Sequence, residues 1–269
     1  MSFRADIYVE KASWLHKMDP RLKVIYVALG IVAILLYKNF FVIIAALVLS
    51  QLLILSAKIP RSNLAWVWKR MIPINILIPL LFVLFYPEGS VLVEFWTIKI
   101  TPMALVRGLA LAFRLDAIAF LVFSWMFTTD QTKIVRSFVK LGLPYNGGLV
   151  IAISLRYIPT FYGTYTMVAE AQQARALDLS KGSLFQRMRQ YMPILVAMMI
   201  SALRTSDKLA KALESRALGY EGAKRTCFRD IAFRPIDYVY LGLILVAFLG
   251  VLFIRFGLDA GVDLLYPLV

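Results

Sequence analysis

Two arginines, Arg175 and Arg216, occupy matching places at the ends of two predicted helices in the second half of the chain. Each follows a small residue and precedes an alanine, giving Ala174-Arg175-Ala176 and Ser215-Arg216-Ala217. Small side chains let a helix tip approach another protein closely, and a guanidinium offers a planar fork of donors to carboxylates or backbone carbonyls. The pattern therefore predicts a docking tip. An arginine near a helix C-terminus also favours the helix dipole, but that alternative explains two matched ends less well than one.

The helices that must position these arginines are predicted over about residues 144–176 and 183–217. Each covers about 30 residues, which is about 45 Å if the helix is continuous. Residues suited to helix ends follow both stretches, namely Asp178, Ser180 and Gly182 after the first and Gly219 and Gly222 after the second. The apolar runs inside them, residues 147–158 and 192–203, have 12 residues each, whereas a span needs about 20. We therefore predict that neither run spans a membrane.

The whole chain has the composition of a membrane protein. Of its 269 residues, 61% are apolar and only 17% are charged, and the mean hydropathy is +0.75. Soluble domains are nearer half apolar and a quarter charged, so an ordinary soluble enzyme and a disordered chain are both excluded. A single cysteine, Cys227, and a single histidine, His16, exclude an internal disulfide framework and a His-rich metal site. The sequence also lacks the G-x-x-x-x-G-K-[ST] phosphate loop of ATPases.

Five apolar runs are long enough, or nearly so, to be spanning helices, and they predict an all-α integral membrane protein. The runs cover residues 22–37, 40–57, 71–86, 103–127 and 238–256. The first two flank a short polar turn and are interpreted as a helical hairpin. Pro73 and Pro79 are expected to kink the third. The fourth carries Arg107, Arg114 and Asp116, and charge inside a span is a functional candidate by default.

Basic residues set the predicted orientation, because cytoplasmic loops are rich in lysine and arginine. Residues 1–23 carry five Lys and Arg, residues 58–70 carry four, and residues 128–234 carry 16 against seven Asp and Glu. Residues 88–101 carry one, and the tail 257–269 carries none. The chain is thus predicted to cross the cell membrane several times, with its N-terminus inside and its C-terminus outside. The same rule accounts for the net charge of +14 better than nucleic-acid binding does.

These patterns divide the chain into four predicted parts. Residues 1–23 form a cytoplasmic N-terminal segment, and residues 24–127 form transmembrane helices 1–4. Residues 128–235 form a basic, cytoplasm-facing module of long helices, and residues 236–269 hold the last transmembrane helix and an external tail. A seven-span arrangement would also leave the C-terminus outside, but it would put the basic segment 170–189 on the wrong side of the membrane.

Short motifs in a fixed order make the chain resemble a known family. The motifs are Ser13-Trp14-Leu15-His16-Lys17-Met18-Asp19-Pro20-Arg21-Leu22-Lys23, Thr128-Thr129-Asp130, Leu141-Gly142-Leu143-Pro144, Leu155-Arg156-Tyr157-Ile158-Pro159, the arginine signatures at 171–176 and 215–217, and Gly219-Tyr220 with Arg225-Thr226. Together they are similar to the transmembrane T component of energy-coupling factor (ECF) transporters, over nearly the whole chain. Two departures concern glycine. Ala176 replaces the usual Gly of the first signature, and the second reads Ser-Arg-Ala rather than Ala-Arg-Gly, so any feature that needs glycine's backbone freedom falls on alanine here.

The resemblance implies a membrane-embedded energy-coupling subunit of an importer for a micronutrient, either a vitamin or a transition-metal ion. Two ABC-type ATPases, which bind ATP and Mg, would dock on the two arginine-bearing ends, one each. A small membrane S component would bind the substrate, and ATP-driven closure would move the long helices and reorient it. The chain itself would carry no cofactor, metal or catalytic residue. The docking role is carried over to Arg175, Arg216, Ala174, Ala176, Ser215 and Ala217.

The long helices also offer apolar residues at helical spacing. They are Ile151, Leu155, Ile158 and Phe161 on the first helix and Leu195, Met198, Met199 and Leu203 on the second. The resemblance implies that they contact the S component, and internal packing is the alternative for each. It also places transport in another subunit, so Arg107, Arg114 and Asp116 are interpreted as ties between helices. Asp19 and Pro20 are predicted to be the N-cap and the first residue of the first helix.

Three other functions fit the composition. A stand-alone permease or channel favours an inverted repeat of spans with broken helices at the midplane, and we find no such repeat in the sequence. An intramembrane enzyme needs paired catalytic groups at membrane depth, and only Arg114 and Asp116 come close. A membrane anchor or assembly scaffold would tolerate the loss of Arg175 and Arg216.

Overall fold

The computed structural model describes residues 8–9, 11, 13–37, 39–86, 93–95, 98–175, 177, 183–218 and 233–257. Contacts divide these residues into two units. The described residues from 144 to 218 make the long-helix unit, and those from 8 to 143 together with 233–257 make the bundle unit. The long-helix unit is thus shorter than the module predicted over 128–235, because residues 128–143 belong to the bundle. The cytoplasmic location of that module stays a prediction.

Helices make up almost all of the described chain, which confirms the predicted all-α fold. In chain order the elements are α1 Trp14–Lys17, α2 Pro20–Leu36, α3 Phe40–Ser56, α4 Arg61–Phe85, β1 Val93–Phe95, β2 Ile98–Ile100, α5 Pro102–Thr128, α6 Gln131–Lys140, α7 Tyr145–Ala174, α8 Leu184–Glu214 and α9 Pro235–Gly257. The two short strands pair antiparallel, with Val93 opposite Ile100.

Polar N-caps start several of these helices where the sequence predicts a start. The Asp19 carboxylate accepts a hydrogen bond from the backbone N–H of Arg21 at 2.8 Å, and Pro20 is the first helical residue, as expected. Asn39 caps α3 in the same way, accepting from the N–H of Phe41 at 2.9 Å. Each side chain satisfies one of the backbone donors that a helix N-terminus leaves unpaired.

Helix α5 is the centre of the bundle unit. Helices α2, α3 and α4 all pack against it, whereas α9 packs against α2. The middle of α5 is fully buried at Ala112, Ala117 and Phe120. Gly108 lets α4 come close, because a Cβ there would stand 2.6 Å from the Cα of Pro79. The first two predicted spans do follow one another as helices, but each packs mainly on α5 rather than as an isolated hairpin.

Helix α4 is longer than the sequence predicts. The apolar run suggested a span from residue 71 after a basic loop over 58–70, but the helix begins at Arg61 and continues to Phe85. Pro60 stands at its N-cap, and Pro73 and Pro79 both lie inside it. The predicted start was wrong because long basic side chains can lie along a helix while their charges reach the surface, so a run of basic residues does not end a helix.

Length and hydropathy single out two described helices that could cross a membrane, Arg61–Phe85 and Pro235–Arg255. Helix α3 is apolar but shorter, with 17 residues. The count of five spans therefore stays a prediction.

The long-helix unit consists of α7 and α8, which have 30 and 31 residues and pack against each other. Ala169 of α7 and Ile194 of α8 are buried. Helix α8 begins with a capping box, in which the Ser183 hydroxyl and the Gln186 side chain each bond the other's backbone N–H. The two long helices predicted from the sequence are confirmed, and the apolar runs 147–158 and 192–203 are segments of them.

Candidate functional site

The first arginine signature forms the C-terminal turn of α7. The helix ends at Ala174, and Arg175 is its C-cap, with its backbone N–H donating to the carbonyl of Gln172 at 3.1 Å. The N–H of Leu177 donates to the same carbonyl, also at 3.1 Å. The side chains of Ala174 and Arg175 are exposed. Ala176 lies outside the described residues.

The second signature forms the C-terminal turn of α8. The N–H of Arg216 donates to the carbonyl of Leu213 at 3.1 Å, and the N–H of Ala217 donates to that of Glu214 at 2.9 Å. The N–H of Leu218 then donates to Leu213 at 3.0 Å. The side chains of Ser215, Arg216 and Ala217 are all exposed.

The two ends share one kind of hydrogen bond that the sequence alone does not predict. In each, the residue two places after the arginine donates its N–H to the carbonyl three places before it, which is the closing bond of a Schellman turn. The donors are Leu177 and Leu218. The available signal was the leucine that follows Arg-Ala in both signatures. Because backbone donors already satisfy these carbonyls, the guanidiniums are not needed as caps, and each stands exposed at a helix tip.

Ala217 takes the backbone conformation that a glycine would favour. Its φ is 56°, in the left-handed region, where a Cβ crowds the neighbouring carbonyl oxygen. This is the position at which the second signature carries alanine in place of the expected glycine. The turn therefore forms in spite of the substitution, at a cost of about 1 kcal/mol.

Most of the apolar residues predicted on the two long helices lie at the surface. Ile151, Ile158, Leu195, Met199 and Leu203 are exposed. The other three, Leu155, Phe161 and Met198, are partly buried. The surface on α8 extends further than predicted, because Phe185, Met188 and Met192 are also exposed. These three precede Leu195, Met199 and Leu203 at steps of three and four residues, so the six form one stripe along the helix, which we call the α8 stripe.

Residues 13–23, which we call the clamp motif, hold the end of α5. The ammonium of Lys23 is buried and donates to the carbonyl of Thr128 at 2.9 Å and to the hydroxyl of Thr129 at 3.2 Å. Just upstream of the motif, the N–H of Val9 donates to the carbonyl of Phe127 at 3.0 Å. The bonds fix the last turn of α5 to the N-terminal part of the chain.

His16 secures Val9 in turn. Its Nε2 lies 2.9 Å from the carbonyl of Val9, and its Nδ1 lies 2.7 Å from the hydroxyl of Ser13. A carbonyl can only accept, so Nε2 carries the proton and Nδ1 accepts from the hydroxyl. Burial lowers the pKa of His16 below its ordinary value, the bond to Val9 opposes that shift, and the positive charges of Lys23 and Lys133 add to it.

The clamp motif also holds the start of α9. The buried carboxylate of Asp237 accepts from the N–H of Asp19 at 3.3 Å and from that of Arg234 at 2.9 Å. The guanidinium of Arg21 lies 5.0 Å from the ring centre of Phe233. The motif therefore contacts both the end of α5 and the start of α9.

Two of the three charges inside α5 tie helices together, as predicted. Arg114 donates from Nη2 to the carbonyl of Tyr37 at the end of α2, at 2.6 Å. Asp116 accepts from the side-chain amide of Asn75 on α4, at 2.8 Å. The role of Arg107, which is half-buried on the same helix, stays a prediction.

Comparisons with known proteins agree on one kind of relative. The family model described as CbiQ, cobalt transport protein, matches residues 11–227. A Streptococcus equi protein named energy-coupling factor transporter transmembrane protein EcfT is 31% identical, over 91% of this chain and 93% of the relative. Proteins of the same name from Listeria innocua and Bacillus selenitireducens are each 31% identical, covering 91% and 93% of this chain and 95% and 96% of the relatives.

Proposed function

Because the chain belongs to the EcfT family of energy-coupling factor transporter transmembrane proteins, we propose that it links two cytoplasmic ATPases to a substrate-binding S component. It is a membrane-embedded component of a transporter. The proposed assembly is an importer for a micronutrient, either a vitamin or a transition-metal ion, in which this chain transmits ATP-driven motion and catalyses nothing itself. The observation that carries the proposal is the pair of matched arginine-bearing helix ends.

The two ends fit two copies of one kind of partner. Both present an exposed guanidinium on a closed turn, with small residues beside it, and both are held out by helices of about 30 residues. An arginine fork suits carboxylates and backbone carbonyls in a groove. We assign one ATPase to Arg175, with Ala174 and Ala176, and the other to Arg216, with Ser215 and Ala217. ATP and Mg are bound by these partners, and the chain holds no cofactor.

The α8 stripe supports an apolar membrane partner. An apolar patch that stays exposed on a single chain marks an interaction surface. Methionines are frequent in it, and their flexible thioethers can repack against different surfaces. We assign this stripe, with Ile151, Leu155, Ile158 and Phe161 of α7, to the S component. Movement of α7 and α8 by the ATPases then reaches the substrate-binding subunit directly.

The proposed topology puts both arginine ends on the cytoplasmic side, where ATP is available. The N-terminus lies inside and the C-terminus outside, because the lysine- and arginine-rich segments then all face the cytoplasm. A thiol label that cannot cross the membrane, added to whole cells, tests this topology with single introduced cysteines. It should reach a cysteine at position 269 and miss one at position 2, and the reverse result would overturn the orientation.

Charge reversal tests the docking proposal. The double variant R175E/R216E should insert in the membrane at the wild-type level but lose the ATPases when the tagged chain is purified in mild detergent. The double variant R204E/K208E is the matched control, since both residues are exposed on α8 and the change in charge is the same. Co-purification of the ATPases at an equal yield with R175E/R216E would overturn the proposal.

The same purification from the native host identifies the partners. Two ABC-type ATPases and a small apolar membrane protein are the expected companions, and the small protein should bind the vitamin or metal ion that the complex imports. A chain that purifies alone even after crosslinking would favour a stand-alone permease or an assembly scaffold.

A further inference from the structure

We propose that a groove at the base of α9 binds one anionic phospholipid, with its phosphate held by Lys17, Lys58 and Arg234. No step of the coupling function described above requires such a site. The groove has a basic part and an apolar part, both within the bundle unit. The basic part suits an anionic group and the apolar part suits a hydrocarbon chain. Because the two parts adjoin, one ligand can fill both.

The basic part is a cavity of about 450 Å³ where three separate segments meet. Lys17 ends α1, Lys58 follows α3, and Arg234 precedes α9. All three side chains are exposed, and none of the described residues that line the cavity is acidic. The carboxylate of Asp237 is close in sequence but is buried, and its two oxygens accept the backbone N–H groups of Asp19 and Arg234. Three cations around one cavity favour an anion with several oxygens, such as a phosphate.

Lys58 adds a second observation, because its backbone is strained. Its φ is 56°, in the left-handed region that glycine or asparagine usually occupies. Its N–H donates to the carbonyl of Leu55 at 3.0 Å, which closes the turn after α3. Glycine would make this turn without strain but would bring no side chain to the cavity. With lysine at this position, a third cationic group lines it.

The apolar part is a cavity of about 290 Å³ between α2 and α9. Leu29 and Ala33 of α2 face Leu243 and Ala247 of α9 across it, and the lining is hydrocarbon almost throughout. Between two helices of a membrane protein such a cleft suits an acyl chain, because the methylenes of the chain can pack against the hydrocarbon side chains that line it.

Two aromatic residues join the parts. Trp14 and Tyr240 line both cavities, and their ring centres lie 5.9 Å apart. Tryptophan and tyrosine are typical of the membrane–water interface, where one side of the ring is wet and the other apolar. A ligand that fills both cavities therefore has a charged head in the basic part and a hydrocarbon tail in the apolar part. In the proposed topology all three cations face the cytoplasm, so the lipid belongs to the inner leaflet.

Native mass spectrometry of the purified transporter complex tests the site, with phosphatidylglycerol and phosphatidylcholine of identical acyl chains as probes. We expect one phosphatidylglycerol to bind in preference to phosphatidylcholine. The variant K17Q/K58Q/R234Q should weaken its binding about a hundredfold, since each cation near a lipid surface contributes about 1 kcal/mol. The control R61Q/K69Q/R70Q removes three exposed cations of α4 and should change binding less than about threefold.

The tail and the source of the phosphate are tested separately. Ala247→Phe fills the apolar cavity and should weaken the binding of phosphatidylglycerol about tenfold, because several methylenes of the acyl chain lose their packing contacts. Glycerol phosphate at the same concentration should not compete. The proposal is overturned if glycerol phosphate competes fully, if the control and the triple variant behave alike, or if a photocrosslinker placed at Trp14 captures only a protein helix. Loss of lipid with the ATPases still bound would leave the coupling function standing.

Discussion

The clamp motif and the arginine signatures both depend on charged residues, yet the two units of the chain use those residues in opposite ways. In the bundle unit Lys23 and Asp237 are buried, and their partners lie on the same chain. In the long-helix unit Arg175 and Arg216 are exposed, and their helix ends are already closed by backbone bonds. A charged residue whose partner is inside the chain should matter for stability. One whose partner is outside should matter for assembly, and substitutions in the two units can separate these effects.

Lys23 should give the largest loss of stability. Lys23→Ala removes three methylenes and the ammonium from a site that is 1% exposed and leaves the carbonyl of Thr128 without its donor. We expect the free energy of unfolding to fall by about 3 kcal/mol. Thermal unfolding of the detergent-purified chain measures it. Lys23→Met, which keeps the stem and loses only the ammonium, should cost about 1 kcal/mol.

The exposed Lys11 provides a control for Lys23. Lys11→Ala should change the free energy of unfolding by no more than an ordinary surface substitution does, about 0.5 kcal/mol. If both alanine variants unfold at the same temperature, Lys23 does not fix the end of α5, and the contrast between the units fails.

Asp237 should come next. Asp237→Ala leaves two backbone N–H groups, those of Asp19 and Arg234, without an acceptor. Each unpaired buried donor costs about 1–3 kcal/mol, and water reaching the exposed Arg234 reduces the total, so we expect a loss of about 2 kcal/mol. Asp207, exposed on α8, supplies the control, since Asp207→Ala should change stability by less than about 0.5 kcal/mol. If the two variants lose the same amount of stability, the hydrogen bonds at Asp237 do not stabilise the fold.

Ala217 should give a gain. Because its φ is 56°, Ala217→Gly relieves strain at the end of α8 and should stabilise the turn by about 0.5–1 kcal/mol after the added freedom of the unfolded chain is counted. Ala212→Gly, which lies within the last turn of α8, should instead destabilise the helix by about the same amount. Hydrogen exchange at the last turn of α8 reports both. If Ala217→Gly does not slow this exchange, the left-handed turn does not form in solution.

The sequence predicts regular features well because they repeat locally. Asp19 and Pro20 mark a helix start through their own side chains, and the two long helices follow from spacing and from the residues after them. The hydrogen bond between Asp19 and Asp237 could not be predicted from the sequence, because the two residues are 218 positions apart and no local pattern pairs them. The start of α4 at Arg61 does not follow from the apolar pattern, because the basic residues before residue 71 belong to the same helix.

The candidate site shows the same limit. Arg175 and Arg216 could be found from types and spacing, since the motif repeats. The closing bonds of Leu177 and Leu218 depend on backbone conformation, and only the repeated leucine hinted at them. The exposure of the α8 stripe is likewise a result of how α7 and α8 pack, because periodicity alone does not tell an inner face from an outer one.

His16 should give the smallest effect, and one that depends on pH. Burial holds the pKa of His16 below its value of 6.5 in the unfolded chain, so between the two values the unfolded chain binds more protons. The contribution of His16 is then complete above about pH 6.5 and is lost as the pH falls through the lower, folded pKa. Protonation of Nδ1 also removes the acceptor to which the Ser13 hydroxyl donates. Other groups titrate in this range, so the difference from His16→Gln isolates this one. The wild type should lose more stability than the variant between pH 7 and 5. If stability falls equally with pH in both, the neutral form of His16 does not contribute to the stability of the clamp motif.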